Sequence, residues 1–150
     1  MGTEIGQLAV RRSILIDAPP ERVWREFETL ERMQAWFGTG HRLLEYEPRV
    51  GASVLLEVDI EGRPMRFGGR ITVFDPPREL TFEDDWIPSQ GWAAPSLITI
   101  RLTAALGGTL VELFHHAIER IGEGAAEEHR GLEGGWTTRQ LEALRQVVEA

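Results

Sequence analysis

The chain contains no cysteine and no lysine. The first absence removes disulfides, thiolate metal sites and cysteine nucleophiles. The second removes Schiff-base chemistry and lysine nucleophiles. No apolar run approaches the roughly 18 residues that a membrane-spanning helix requires, so no membrane insertion is expected. The segment Met1 to Gln7 has neither the basic region nor the apolar stretch of a secretion signal. A reducing cytoplasm is the expected location. Positive charge is also in deficit: the net charge is −8, which argues against a nucleic-acid or anionic-membrane partner, since either calls for a basic patch. The G-x-S-x-G, Walker lysine-loop and H-E-x-x-H patterns are all missing, and no residue set has the ligand number a metal requires. No cofactor and no metal are expected.

What is present fits one ordinary globular domain spanning residues 1–150, large enough to bury a real core. Aromatics make up only 8% of the chain, yet five of them are tryptophans: Trp24, Trp36, Trp86, Trp92 and Trp136. Residues of that size in a small domain line a core or a pocket.

The stretch Ala125 to Ala150 reads as one long amphipathic helix. At about 100° per residue, His129, Leu132, Trp136, Ala143, Leu144, Val147 and Val148 share one side, with Leu141 at its margin. Glu142, Arg145, Gln146 and Glu149 take the other. Gly134-Gly135 interrupts the pattern, and each glycine costs a helix about 1 kcal/mol relative to alanine. Glu133 and Gln140 project near the middle of the apolar face, as they would on a helix lying over a cavity.

Ahead of this helix, Leu8 to Asp17 predicts a strand, and Pro20 to Phe27 opens two short helices that end at Gly38 and Gly40. From His41 the apolar period becomes two. Strands are expected over His41–Glu47, Ala52–Ile60, Pro64–Phe74, Glu79–Trp86, Ser96–Ala105 and Thr109–Ala117. Tight turns are expected at Glu61-Gly62-Arg63 and Leu106-Gly107-Gly108-Thr109. Gly68-Gly69 within a strand predicts a bulge, a bend or a close approach of another chain segment. There is no βαβ alternation, so the class is α+β with an antiparallel sheet, curled round the long C-terminal helix.

Several segments resemble one family. Ile16-Asp17-Ala18-Pro19-Pro20-Glu21-Arg22-Val23-Trp24 is similar to the opening signature of the START-like (Bet v 1-like, SRPBCC) superfamily, and more narrowly to the activator of Hsp90 ATPase homologue 1-like family. Trp36, Gly51, Gly69 with Asp75-Pro76-Pro77-Arg78-Glu79-Leu80, Gly108-Thr109 with Val111-Glu112-Leu113-Phe114-His115, and Gly135-Trp136 with Leu141 and Leu144 resemble further segments in the same order. The resemblance implies a helix-grip fold: six to seven strands wrapped round the C-terminal helix, two short helices after the first strand, and a cavity between sheet and helix. It also implies an apolar or amphipathic small-molecule partner. The cochaperone that names the family carries an additional Hsp90-binding domain, for which this chain has no room, so activation of Hsp90 is not expected. A homodimer is left open.

The candidate ligand-binding residues are Trp36, Phe67, Trp86, Trp92, His115, Trp136, Gln140 and Leu144. Of the adjacent pair His115-His116, strand alternation sends only one inward. His115 shares a face with Val111 and Leu113, so it is either a polar group in the cavity or a hydrogen-bonded core histidine; the second is the simpler reading. Gln140 divides evenly between the same alternatives. Glu133 and His129 read more simply as solvated, and Glu83-Asp84-Asp85 as part of a solvated outer face. Glu57 and Asp59 read the same way, with Arg66 and Arg70 in reach across the sheet. Trp86 and Trp92 flank the Ile87–Pro95 loop and read as a pocket mouth. The expected function is binding of a small hydrophobic ligand. A polyketide cyclase- or dehydratase-like enzyme using His115 as acid and base is the alternative, and a chaperone-associated interaction domain is the third.

Overall fold

The computed structural model describes residues 3–150, so Met1 and Gly2 of the Met1–Gln7 segment lie outside the described residues. In chain order the elements are β1 (Val10–Ile16), α1 (Pro20–Trp24), α2 (Leu30–Trp36), β2 (Arg42–Glu45), β3 (Ser53–Ile60), β4 (Arg63–Asp75), β5 (Glu79–Ile87), β6 (Ser96–Ala105), β7 (Gly108–His116), α3 (Ala125–Gly135) and α4 (Arg139–Glu149). Single tight turns of helix follow α1 at Arg25–Phe27 and β7 at Ile118–Ile121. The seven strands form one antiparallel sheet in the order β1-β7-β6-β5-β4-β3-β2. This is the α+β helix-grip architecture.

Local chemistry accounts for the boundaries. Pro20 stands at the start of α1 with Glu21 in its first turn, where a missing N–H costs nothing and a negative charge is favoured. Thr29 caps α2 by accepting from the Arg32 N–H at 3.1 Å. The β3–β4 and β6–β7 hairpins turn on Glu61-Gly62 and Leu106-Gly107, each pair with positive φ at both positions, the geometry that matches the twist of the flanking strands.

Gly68 and Gly69 leave the β3–β4 register unbroken. Their role is close approach: a Cβ on Gly68 would meet the Val54 carbonyl, and one on Gly69 would lie 2.5 Å from the Glu83 carbonyl oxygen. The irregularity in this part of the sheet falls further along, between Ile71 and Val73 against β5.

The concave face of the sheet packs on α1, α2 and α4. Val54, Leu56, Ile71, Leu80, Phe82, Ile98, Ile100, Val111 and Leu113 from the sheet meet Val23, Trp24, Phe27, Met33, Trp36, Leu141, Leu144 and Val148 from the helices. Each such side chain contributes about 1.5–3 kcal/mol through burial. Trp24 stacks on Phe27 with ring centres 4.6 Å apart. Trp36 is fully buried and donates its Nε1–H to the Glu26 carbonyl at 3.0 Å.

The C-terminal stretch departs from the expected single helix. It is two helices, separated by Trp136, Thr137 and Thr138. Gly134 and Gly135 end α3, Trp136 takes an extended conformation (φ −74°, ψ 132°) and its N–H returns to the Leu132 carbonyl at 2.9 Å. Two glycines followed by two β-branched threonines make continuation costly, while the break lets the Trp136 side chain turn inward. The halves differ in burial: α3 buries none of its residues, whereas α4 buries Gln140, Leu141, Leu144 and Val148. Gly135 is not a point of close approach between helix and sheet, since a Cβ placed there meets nothing within 4 Å.

Candidate functional site

Between the sheet and the α3–α4 segment lies a cavity of about 290 Å³, near the lower end of the ~300–1,000 Å³ typical of small-molecule sites. Its apolar wall comes from Phe37, Leu56, Val58, Phe67, Trp86, Ile98, Leu132 and Trp136, with Trp92 added from the β5–β6 loop. Strand parity explains several of these positions: Leu56 and Val58 on β3 share one face, and Trp86 shares one with Phe82 and Asp84 on β5. Three rings form an edge-to-face run, with His41 against Phe67 at 5.6 Å and Phe67 against Trp86 at 5.9 Å.

The polar end centres on His115. Trp136 donates its Nε1–H to His115 Nδ1 at 3.0 Å. An indole nitrogen can only donate, so Nδ1 carries no proton and the hydrogen of the neutral ring sits on Nε2. Nε2–H then donates to Ser96 Oγ at 2.8 Å, and Ser96 in turn donates to the Asp84 carbonyl at 3.0 Å. Burial, reinforced by His116, pushes the His115 pKa down to about 3. Its approach of 3.6 Å to Asp84 Oδ2 is therefore not an ion pair: an imidazolium could not accept from Trp136, and 3.6 Å is too long for a hydrogen bond.

Asp84 is 8% exposed, and its Oδ1 has no hydrogen-bond partner. Burial, then the charges of Asp85 and Glu128, push its carboxyl up to about 7. Gln140, 6% exposed on α4, likewise leaves Oε1 unpartnered. At another part of the wall, burial and the nearby Arg139 guanidinium lower His41, against a hydrogen bond with the Thr39 carbonyl that raises it.

Six of the eight sequence candidates come together on this wall: Phe67, Trp86, Trp92, His115, Trp136 and Gln140. Trp36 and Leu144 do not; both are fully buried in the core beneath α2 and α4, because the faces they occupy meet the filled part of the sheet. Asp84 is the principal correction. It is buried and faces the cavity, contrary to the reading of Glu83-Asp84-Asp85 as a solvated face. The signal was its parity, since it lies two residues from Phe82 and two from Trp86 on the same strand. Glu128, Arg139, His41 and Thr137 also line the cavity; they sit in helix ends and connections, where periodicity carries no face.

The other expected polar groups lie elsewhere. Glu133 is exposed and meets Arg12 at 3.3 Å, while His129 bonds the Ala9 carbonyl at 2.9 Å. Glu57 pairs with Arg66 at 3.1 Å across β3–β4. His116 points to the opposite face of the sheet, where Nε2 meets Thr99 Oγ1 at 2.7 Å and Thr99 meets Thr81 Oγ1 at 2.8 Å. Among the described residues no cluster of three or more histidines and carboxylates could hold a metal, and no helix is long and apolar enough to cross a membrane.

Comparison with known proteins bears on this arrangement. The family model described as "Activator of Hsp90 ATPase homolog 1-like protein" matches residues 17–149. No curated protein matches the chain. Among solved structures, protein CV1439 from Chromobacterium violaceum is similar at 24% identity and TM-score 0.70, with 95% of this chain and 97% of that one covered. DynU16, from the dynemicin biosynthetic locus, is similar at 21% identity and TM-score 0.68; the match covers 97% of this chain but 48% of that one. The Aha1 dimer from Colwellia psychrerythraea is similar at 16% identity and TM-score 0.61, covering 95% and 97%.

Proposed function

The chain belongs to the activator of Hsp90 ATPase homologue 1-like family, and from that premise we propose that it binds a small, mostly apolar molecule in the cavity between the sheet and the α3–α4 segment. The observation that carries this reading is an apolar, tryptophan-rich wall interrupted by two buried polar atoms without partners, Asp84 Oδ1 and Gln140 Oε1. Buried polar groups are nearly always paired, and a ligand with an apolar body and a polar end would pair these two. The alternative of a cyclase or dehydratase that uses His115 as its acid and base fits less well. Both ring nitrogens are engaged, by Trp136 and Ser96, and burial leaves the ring a weak base at neutral pH. A homodimer is a further proposal, supported by the dimeric neighbour from Colwellia psychrerythraea; sedimentation showing only a monomer-sized species would overturn it.

Native mass spectrometry and thermal shift across a library of small apolar and amphipathic molecules test the binding reading. Val58→Trp on β3 and Leu132→Trp on α3 fill the cavity from opposite sides. The expected result is a bound species and a raised melting temperature that both substitutions abolish. Ligand-induced shifts that survive both would sink it.

A further inference from the structure

The two unpartnered atoms in the cavity are both acceptors, and one belongs to a carboxyl group. Among the described residues no donor reaches Asp84 Oδ1: the hydrogen on His115 Nε2 is committed to Ser96, and the Ser96 hydroxyl is committed to the Asp84 main chain. The charges that bear on Asp84, from Asp85 beside it on β5 and Glu128 on α3, are negative. His115 on β7 is neutral. The basic groups on the cavity wall are Arg139 and His41, from the start of α4 and the α2–β2 connection, and neither is among the charges acting on Asp84. The apolar wall combines the aromatic rings of Phe37, Phe67, Trp86, Trp92 and Trp136 with aliphatic side chains such as Leu56, Ile98 and Leu132.

We infer that the cavity takes a protonated amine carried on an apolar, largely aromatic body, with Asp84 as its counter-ion. This rests on the binding reading above and narrows its ligand class. An ammonium group supplies what Asp84 lacks, namely a positive charge and up to three donors, one of which can serve Gln140. The electron-rich faces of the tryptophans favour a cation. At the Asp84 end a carboxylate is disfavoured, because it would add a further negative charge to those of Asp85 and Glu128.

The test is isothermal titration of the purified protein with a matched series on one indole body: tryptamine, indole-3-ethanol, indole-3-acetone and indole-3-acetate. The amine should bind at least about tenfold more tightly than the alcohol and the ketone, and the acid should bind most weakly. The amine's advantage should vanish in Asp84→Asn. In the unaltered protein it should shrink as pH falls through about 7 and Asp84 takes up a proton, a readout that does not depend on the variant folding. Equal affinities across the series, or a preference for the ketone or the acid, would overturn the amine assignment and leave the cavity reading standing. If no member binds and naphthalene produces no thermal shift, both readings fall.

Discussion

Replacing Asp84 by asparagine should change how stability depends on pH, and the size of the change follows from the burial of this one carboxyl group. In the folded chain Asp84 is pushed up to about 7, against about 3.9 for an unfolded aspartate. Between these values the folded protein holds a proton that the unfolded chain has released. The stability associated with the neutral acid is therefore fully present below pH ~4 and is lost as pH rises through 7. A gap of about three units, at ~1.36 kcal/mol each, gives a ceiling of roughly 4 kcal/mol. Asparagine has the same shape and no charge to bury. The stability of the variant minus that of the original should grow by ~1.4 kcal/mol per pH unit from about pH 4 to 7 and then level off. His115 and His116, lowered to about 3 and about 4 chiefly by burial, act in the opposite sense, losing stability as pH falls. Both are present in either protein and cancel in the difference. Urea denaturation at several pH values between about 4.5 and 7.5 measures it directly. A difference that does not vary with pH would mean that Asp84 ionises like a surface carboxylate. A difference that shrinks as pH rises would mean that it is ion-paired with a protonated His115; either result refutes the reasoning.

Other consequences are simpler. Trp136→Phe leaves His115 Nδ1 buried without a donor, which should cost about 1–3 kcal/mol, and nitrogen-15 shifts of the His115 ring should change from a pure Nε2–H form to a mixture of tautomers. Gly134→Ala, in open space on α3, should stabilise the protein by up to about 1 kcal/mol. Gly69→Ala, crowded by the Glu83 main chain, should destabilise it by about 1–3 kcal/mol; equal effects from these two in chemical denaturation would contradict the packing described for β4 and β5. Trp36→Ala should cost about 3–5 kcal/mol, as befits a core residue whose indole also serves the Glu26 carbonyl.

The strands were legible because apolar residues two apart have no other economical reading, and the two Gly-containing hairpin turns fixed where they reverse. The C-terminal break was not. Gly134-Gly135 is compatible with a weakened continuous helix or with a stop, and what decides is tertiary: the contact that Trp136 makes with His115 once its main chain is extended. Trp36 and Leu144 show a related limit. Periodicity says that a side chain faces inward, but whether it meets packed atoms or a void depends on how far the sheet curls away from the helices. Asp84 was readable by parity and missed because acidic runs are solvated in most proteins; its burial is the exception that marks the cavity. Gln140 stood out correctly as polar on a buried face, and the same reasoning applied to β5 would have found Asp84.

The most direct test of the account is a crystal structure of the protein grown with tryptamine. The predicted result is the indole lying among Phe67, Trp86, Trp92 and Trp136, with the ammonium nitrogen within about 3.2 Å of Asp84 Oδ1. Tryptamine bound outside the cavity, or inside it with the amine turned away from Asp84, would contradict it.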